Sequence, residues 1–277
     1  MMALSPTVDG PTLALIALVA GALLAALCGL LARRERDRCR RRQRSALWLL
    51  QGLRTLLSDI QKHRGLSNGY HAGDPAALRG IPALQGQIKQ QIAGLARRPG
   101  ARCDAASWLA AQPRWQQILA DWRGLASGFQ GLEPELNLRC HNRLIAALLY
   151  LIEDSMVAHP LQRLGGTPSA GEARWRELLV TAEFVGQARA LGTGVTAAGH
   201  CSSVARIRLN YLRMRIKQAG ARCGVQPQLA ALLRCIEQEV VCERPSIASQ
   251  RYFALATATL DQVFARFDQA VAELARS

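Results

Sequence analysis

Two arginines of this 277-residue chain stand in near-matching surroundings. Arg64 opens Arg-Gly-Leu-Ser-Asn-Gly-Tyr-His-Ala-Gly, and Arg189 opens Arg-Ala-Leu-Gly-Thr-Gly-Val-Thr-Ala-Ala-Gly. Stepping back from Arg64 at helical spacing meets Ile60, Leu57, Leu53 and Leu50; from Arg189 it meets Val185, Ala182, Leu178 and Trp175. Each arginine thus ends an apolar stripe and faces inward. One turn away lie Gln61, Ser67 and Asn68 for the first and Gly186, Gly192 and Thr193 for the second, none of them able to neutralise a charge.

A buried, unpaired guanidinium costs several kcal/mol, so each of the two must find a partner. Three kinds are open. Carboxylates of the chain could supply internal salt bridges, with Glu153 and Asp154 in the otherwise apolar run Leu148 to Val157 as the candidate acids. The side chains could instead snorkel to water at the helix ends. Or a small oxyanion could lie between two flat forks of N–H donors. Gly65, Gly69, Gly186, Gly192 and Gly194 crowd around the arginines. Each costs a helix about 0.5–1 kcal/mol against alanine, which close helix approach or ligand access must offset. Arg64 and Arg189 are therefore the candidate anion ligands, with Gln61, Ser67 and Thr193 able to add neutral hydrogen bonds.

The elements that must position these residues are helical. Apolar residues make up 49% of the chain, which excludes disorder, and few aromatic or β-branched runs occur. After residue 44, apolar residues recur at helical spacing in eight blocks near 45–71, 75–97, 104–130, 134–158, 171–198, 202–221, 226–243 and 247–275. Gly73-Asp74-Pro75 offers a turn, an N-cap and a proline at the first helical position; Arg98-Pro99-Gly100 and Glu133-Pro134 mark later breaks. The loop from His159 to Gly171 divides the eight helices into halves of about 45–160 and 171–277, with one arginine on the first helix of each. An all-α fold of two four-helix bundles follows.

The N-terminus is a different kind of segment. Leu13 to Ala32 carries no charge and no proline, enough to cross a bilayer as one helix. Residues 1–32 thus read as an N-terminal segment and transmembrane anchor. The basic juxtamembrane stretch 33–44 follows, with eight arginines against Glu35 and Asp37, and 45–277 is the helical domain. The flank asymmetry predicts a single-pass inner-membrane protein with its N-terminus outside and the domain in the cytoplasm. A cleaved signal would carry its positive charge before the apolar run. The net charge of +15 extends beyond this stretch, but no zinc finger, RNA-binding signature or aromatic-interleaved basic run points to nucleic acid.

Enzymatic chemistry and cofactors find no support. The eight cysteines show neither a C-x-x-C pair nor zinc spacing, so no metal site is expected. Gly192-Thr-Gly194 lacks the length and lysine of a phosphate loop, and no haem or iron–sulfur ligand pattern occurs.

At the arginines the chain resembles a known family. Gln61-Lys-His-Arg64-Gly-Leu-Ser and Glu183-Phe-Val-Gly-Gln-Ala-Arg189-Ala are similar to the two arginine motifs of the nitrate- and nitrite-sensing (NIT) domain of bacterial sensors. The resemblance covers roughly residues 45 to 275 and implies two four-helix bundles with nitrate or nitrite bound between Arg64 and Arg189. Where the family commonly has Glu-Arg, this chain has His63-Arg64 and Ala188-Arg189. The ordinary reading of His63 is a surface histidine. A membrane-anchored cytoplasmic sensor results, signalling to a separate protein partner or through a homodimer. The rival is a membrane-tethered helical scaffold whose arginines are tied to Glu153 or Asp154.

Overall fold

The computed structural model describes residues 10–96, 104–159, 170–221, 224, 226–274 and 276. The Arg98-Pro99-Gly100 break, residues 160–169 of the dividing loop, Cys103 and Cys223 lie outside them. The chain divides into two compact units, Met1–Arg44 and Ser45–Ser277.

The first unit is described from residue 10, where helix α1 (Gly10–His71) begins. Its side chains are described from Leu18. Leu18, Val19, Leu23, Leu24, Leu27 and Leu30 are all more than half exposed, and nearly every residue from there to Arg44 is exposed as well. Among the described residues no helix is long and apolar enough to cross a membrane. A span begun at Leu18 reaches Arg33, Arg34 and Glu35 before it is long enough, so the transmembrane helix expected over Leu13 to Ala32 is unsupported there.

Every regular element described is helical. In the second unit α1 is followed by α2 (Pro75–Arg79), α3 (Ile81–Ala96), α4 (Asp104–Ala111), α5 (Pro113–Gly128), α6 (Pro134–Ala158), α7 (Ala170–Ala198), α8 (Ser203–Gly220), α9 (Gln226–Cys235) and α10 (Ser249–Leu274). Asp74 caps α2 as its sequence predicts, its carboxylate accepting from the Ala76 N–H at 2.9 Å beside Pro75. Ser202 caps α8 in the same way through Ala205.

Three of the expected blocks are interrupted. The block at 75–97 is two helices parted at Gly80. That at 104–130 is broken at Gln112, which is extended because the ring of Pro113 disfavours helical dihedrals in the residue before it. The block at 226–243 ends in a wider π turn over Ile236–Val240.

One hydrophobic core runs through the second unit. Both predicted stripes are buried over their whole length, Leu50 to Arg64 on α1 and Trp175 to Arg189 on α7. Side-chain contacts tie α1 to α3, α5 and α6 around His63 and Gln85. In the later part of the chain, α7, α8, α9 and α10 pack on one another. Residues of α1 also meet α7 and α10. Asn68 Nδ2 donates to the Ala190 carbonyl at 2.7 Å, and Arg54 grips Asp268 with two hydrogen bonds of 2.7 and 3.1 Å.

Candidate functional site

The two arginines meet at this contact of α1, α7 and α10. Glycines make the approach close. A Cβ built on Gly186 of α7 would lie 2.8 Å from Arg64 Nη2, and one on Gly65 of α1 would lie 3.6 Å from Arg189 Nε. Arg64 is 0% exposed and Arg189 1%, so neither reaches water by snorkelling.

Their partners differ. Arg64 is held by Glu183, with Nη1 donating to Oε1 at 2.8 Å and Nη2 to Oε2 at 3.3 Å. Its Nη1 also donates to Asn142 Oδ1 on α6 at 2.8 Å. Glu183 takes two more hydrogen bonds, from Gln61 Nε2 at 2.7 Å and Gln187 Nε2 at 2.8 Å. Arg189 donates one hydrogen bond, from Nη1 to Thr257 Oγ1 at 3.0 Å, and its guanidinium lies 5.1 Å from the centre of the Phe253 ring. Its Nε and Nη2 are buried without an acceptor, as is Nε of Arg64. Burial pushes the Arg189 pKa down to about 10, helped by the positive charge of Arg64 and opposed by Asp261, Glu183 and Tyr252.

The acids predicted from sequence are not the ones used. Asp154 pairs with Arg114 at 3.3 Å near the surface, and no ion pair joins Glu153 or Asp154 to Arg64 or Arg189 among the described residues. Glu183 lies in the motif that leads to Arg189 but serves Arg64 on another helix, which a search one turn either side of each arginine does not reach. Ser67 and Thr193 are buried, yet their hydroxyls bond the arginines' own main chains: Ser67 Oγ donates to the Arg64 carbonyl at 3.2 Å and Thr193 Oγ1 to the Arg189 carbonyl at 2.7 Å. Gln61 does belong to the polar cluster, through Glu183.

His63 is not a surface residue. It is fully buried, edge-on to Trp122 and Phe129, with Nδ1 2.8 Å from Nε2 of His141. The direction of this chain follows from its ends. The Asn137 carbonyl can only accept, so His141 Nδ1, 2.8 Å away, carries a proton. His141 Nε2 then accepts from His63 Nδ1, and His63 Nε2 accepts from the Gln85 amide at 3.1 Å. Both rings are satisfied while neutral. Burial lowers the His63 pKa to about 4 and, with the charges of His63, Arg64 and His71 adding to it, that of His141 to about 3. The pair adjoins the site, since His63 precedes Arg64 and His141 precedes Asn142.

Among the described residues no group of three or more histidines, cysteines or acids could hold a metal ion. The cluster offers donors instead: the Arg64 guanidinium and two glutamine amides around the Glu183 carboxylate, with the Arg189 guanidinium near by and bonded only to Thr257.

No family model matches the chain, and no curated protein matches it. Among solved structures, that of the NasR transcription antiterminator is similar over 91% of this chain and 74% of its own, with a TM-score of 0.60 and 18% identity. At that identity the likeness is one of fold, and this all-helical chain shares the NasR fold over nearly its whole length.

Proposed function

We propose that residues 45–277 form a receptor for a small planar oxyanion, nitrate or nitrite, bound between Arg64 and Arg189. One observation carries this reading. Arg189 is wholly buried within reach of the positive charge of Arg64, with two nitrogens lacking acceptors and no carboxylate in ion-pair contact among the described residues. A buried positive charge so placed is costly unless an anion meets it. An oxyanion between the forks would neutralise the charge and take up the free donors.

Two further facts support it. The arginines stand in motifs similar to those of the nitrate- and nitrite-sensing family, and the chain shares the fold of a transcription antiterminator. Arg64 lies on α1 and Arg189 on α7, the first helices of a six-helix and a four-helix half rather than of two four-helix bundles, so an anion bridging them would shift how the halves pack. That shift would be the signal, read by a separate protein or a second copy of the chain. It requires the anion to bind one packing more tightly, with a coupling of about 1–3 kcal/mol. Leu13 to Ala32 and the arginines behind it would anchor the receptor in the inner membrane, domain inward.

The scaffold reading draws on Arg64, which Glu183 already compensates. It leaves Arg189 with no carboxylate in ion-pair contact among the described residues, and for that reason we place it second. Calorimetric titration of the full chain with nitrate and nitrite, beside an Arg189→Met variant, tests the choice.

A further inference from the structure

We infer that Glu183 is a built-in competitor for the anion: a planar oxyanion displaces its carboxylate from Arg64, and Glu183 thereby sets both the affinity and the shape selectivity of the site. This rests on the receptor reading above. The support is a complete donor cradle around the carboxylate. Each of its oxygens accepts one N–H from Arg64 and one from a glutamine, Oε1 from Nη1 and Gln187, Oε2 from Nη2 and Gln61. A guanidinium fork flanked by two amides matches a flat O–X–O edge. Carboxylate, nitrate and nitrite share that edge and are flat beyond it; sulfate and phosphate offer the edge too, but their other two oxygens project above and below its plane, where helices pack closely. The ligand class is therefore written in the self-ligand: planar oxyanions of one negative charge.

Glu183 is also placed to leave. Its side chain is 13% exposed where that of Arg64 is 0%. A cavity of about 300 Å³ opens between α6, α7 and α8, and reaches Gln187, one turn along α7 from Glu183. Asn142 and Gln187 line this cavity and are the side chains bonded to Arg64 and Glu183, so they part it from the ion pair. Arg139, Arg208 and Tyr211 line it too and are exposed, which makes them its mouth. The cavity gives the anion a route, and Arg139 on its lining, beside the Arg208–Glu135 ion pair, gives the displaced carboxylate a cation to meet. Deeper in, Arg189 keeps two donors that Glu183 does not satisfy. An anion that takes the cradle and reaches those donors makes contacts which the tethered carboxylate does not. That difference is what lets it win, and the apparent affinity is reduced by the fraction of time Glu183 is in place.

The experiment is calorimetry on the full chain as wild type, Glu183→Gln and Glu183→Ala, titrated with nitrate, with nitrite, with formate and with sulfate. Displacement predicts at least tenfold tighter nitrate binding in both variants. It also predicts that Glu183→Ala gains formate binding that competes with nitrate, and that sulfate binds none of the three. Unchanged or weaker nitrate binding in both variants overturns the inference and leaves the receptor reading standing. So does simultaneous binding of formate and nitrate to Glu183→Ala, because the anion would then sit beside Glu183 rather than replace it. Absence of nitrate and nitrite binding in the wild type and both variants overturns the receptor reading and this inference together.

Discussion

Two buried arginines in one contact region carry opposite consequences for stability. Arg64 belongs to a closed set: remove its charge and Glu183, little exposed, keeps only Gln61 and Gln187. Breaking a buried pair from one side costs about 3 kcal/mol or more. Arg189 is the reverse case, a charge with no carboxylate in ion-pair contact among the described residues, where a hydrophobe of similar length is neutral or stabilising. In urea unfolding without added nitrate, Arg64→Met should therefore lose about 3 kcal/mol, while Arg189→Met holds or gains stability. Equal losses in the two variants would mean that Arg189 has a counterion after all. Both burials were legible in the sequence, because a 3.6-residue period reports which face a residue occupies. The identity of the counterion was not. Glu183 acts across a helix contact, and periodicity within one helix holds no information about its neighbour.

Helix α1 explains the other misjudged residue. Its burial extends over more than one stripe, from Leu49 and Leu50 through Leu56 and Leu57 to His63 and Arg64, because α3, α5 and α6 cover one side and α7 and α10 another. The leucine doublets were the signal that His63 lies inside; a single stripe would have left it in water. Fixing α1 this way has a pH cost. His63 and His141 both have pKa values lowered from 6.5, so unfolding takes up protons once the pH falls below that value. The stability they contribute is full above about pH 6.5 and is lost as the pH drops toward about 4. Each histidine gives a slope of about 1.4 kcal/mol per pH unit in that window. Burial raises the pKa of Asp59 and Asp268, which opposes the loss only near the carboxylate range. Unfolding free energies should thus be level above pH 7 and fall between pH 6 and 5, and His63→Gln should flatten the profile. A level profile across that interval would place the rings in water.

At the scale of the whole molecule, the fold class and most helix positions follow from composition and period, and the breaks at Asp74-Pro75 and Glu133-Pro134 from proline chemistry. Apolar periodicity continues across the interruptions at Gly80 and Gln112 and so hides them, while Pro82 and Pro113 are their local signals. The N-terminal segment is a second kind of surface, leucines exposed along α1 and then a basic run. If it anchors the chain, the full-length protein stays with membranes through alkaline extraction; release into the soluble fraction would refute the anchor.

Arg189 carries a buried charge that no carboxylate contacts among the described residues, and what meets it is measured most directly by the heat of nitrate and nitrite binding to wild type and to Arg189→Met. Two charge-assisted hydrogen bonds are worth roughly 3 kcal/mol together, so the account predicts one anion per chain and an affinity about 100-fold weaker in the variant. Equal affinity in the two proteins, or no binding to either, would contradict it.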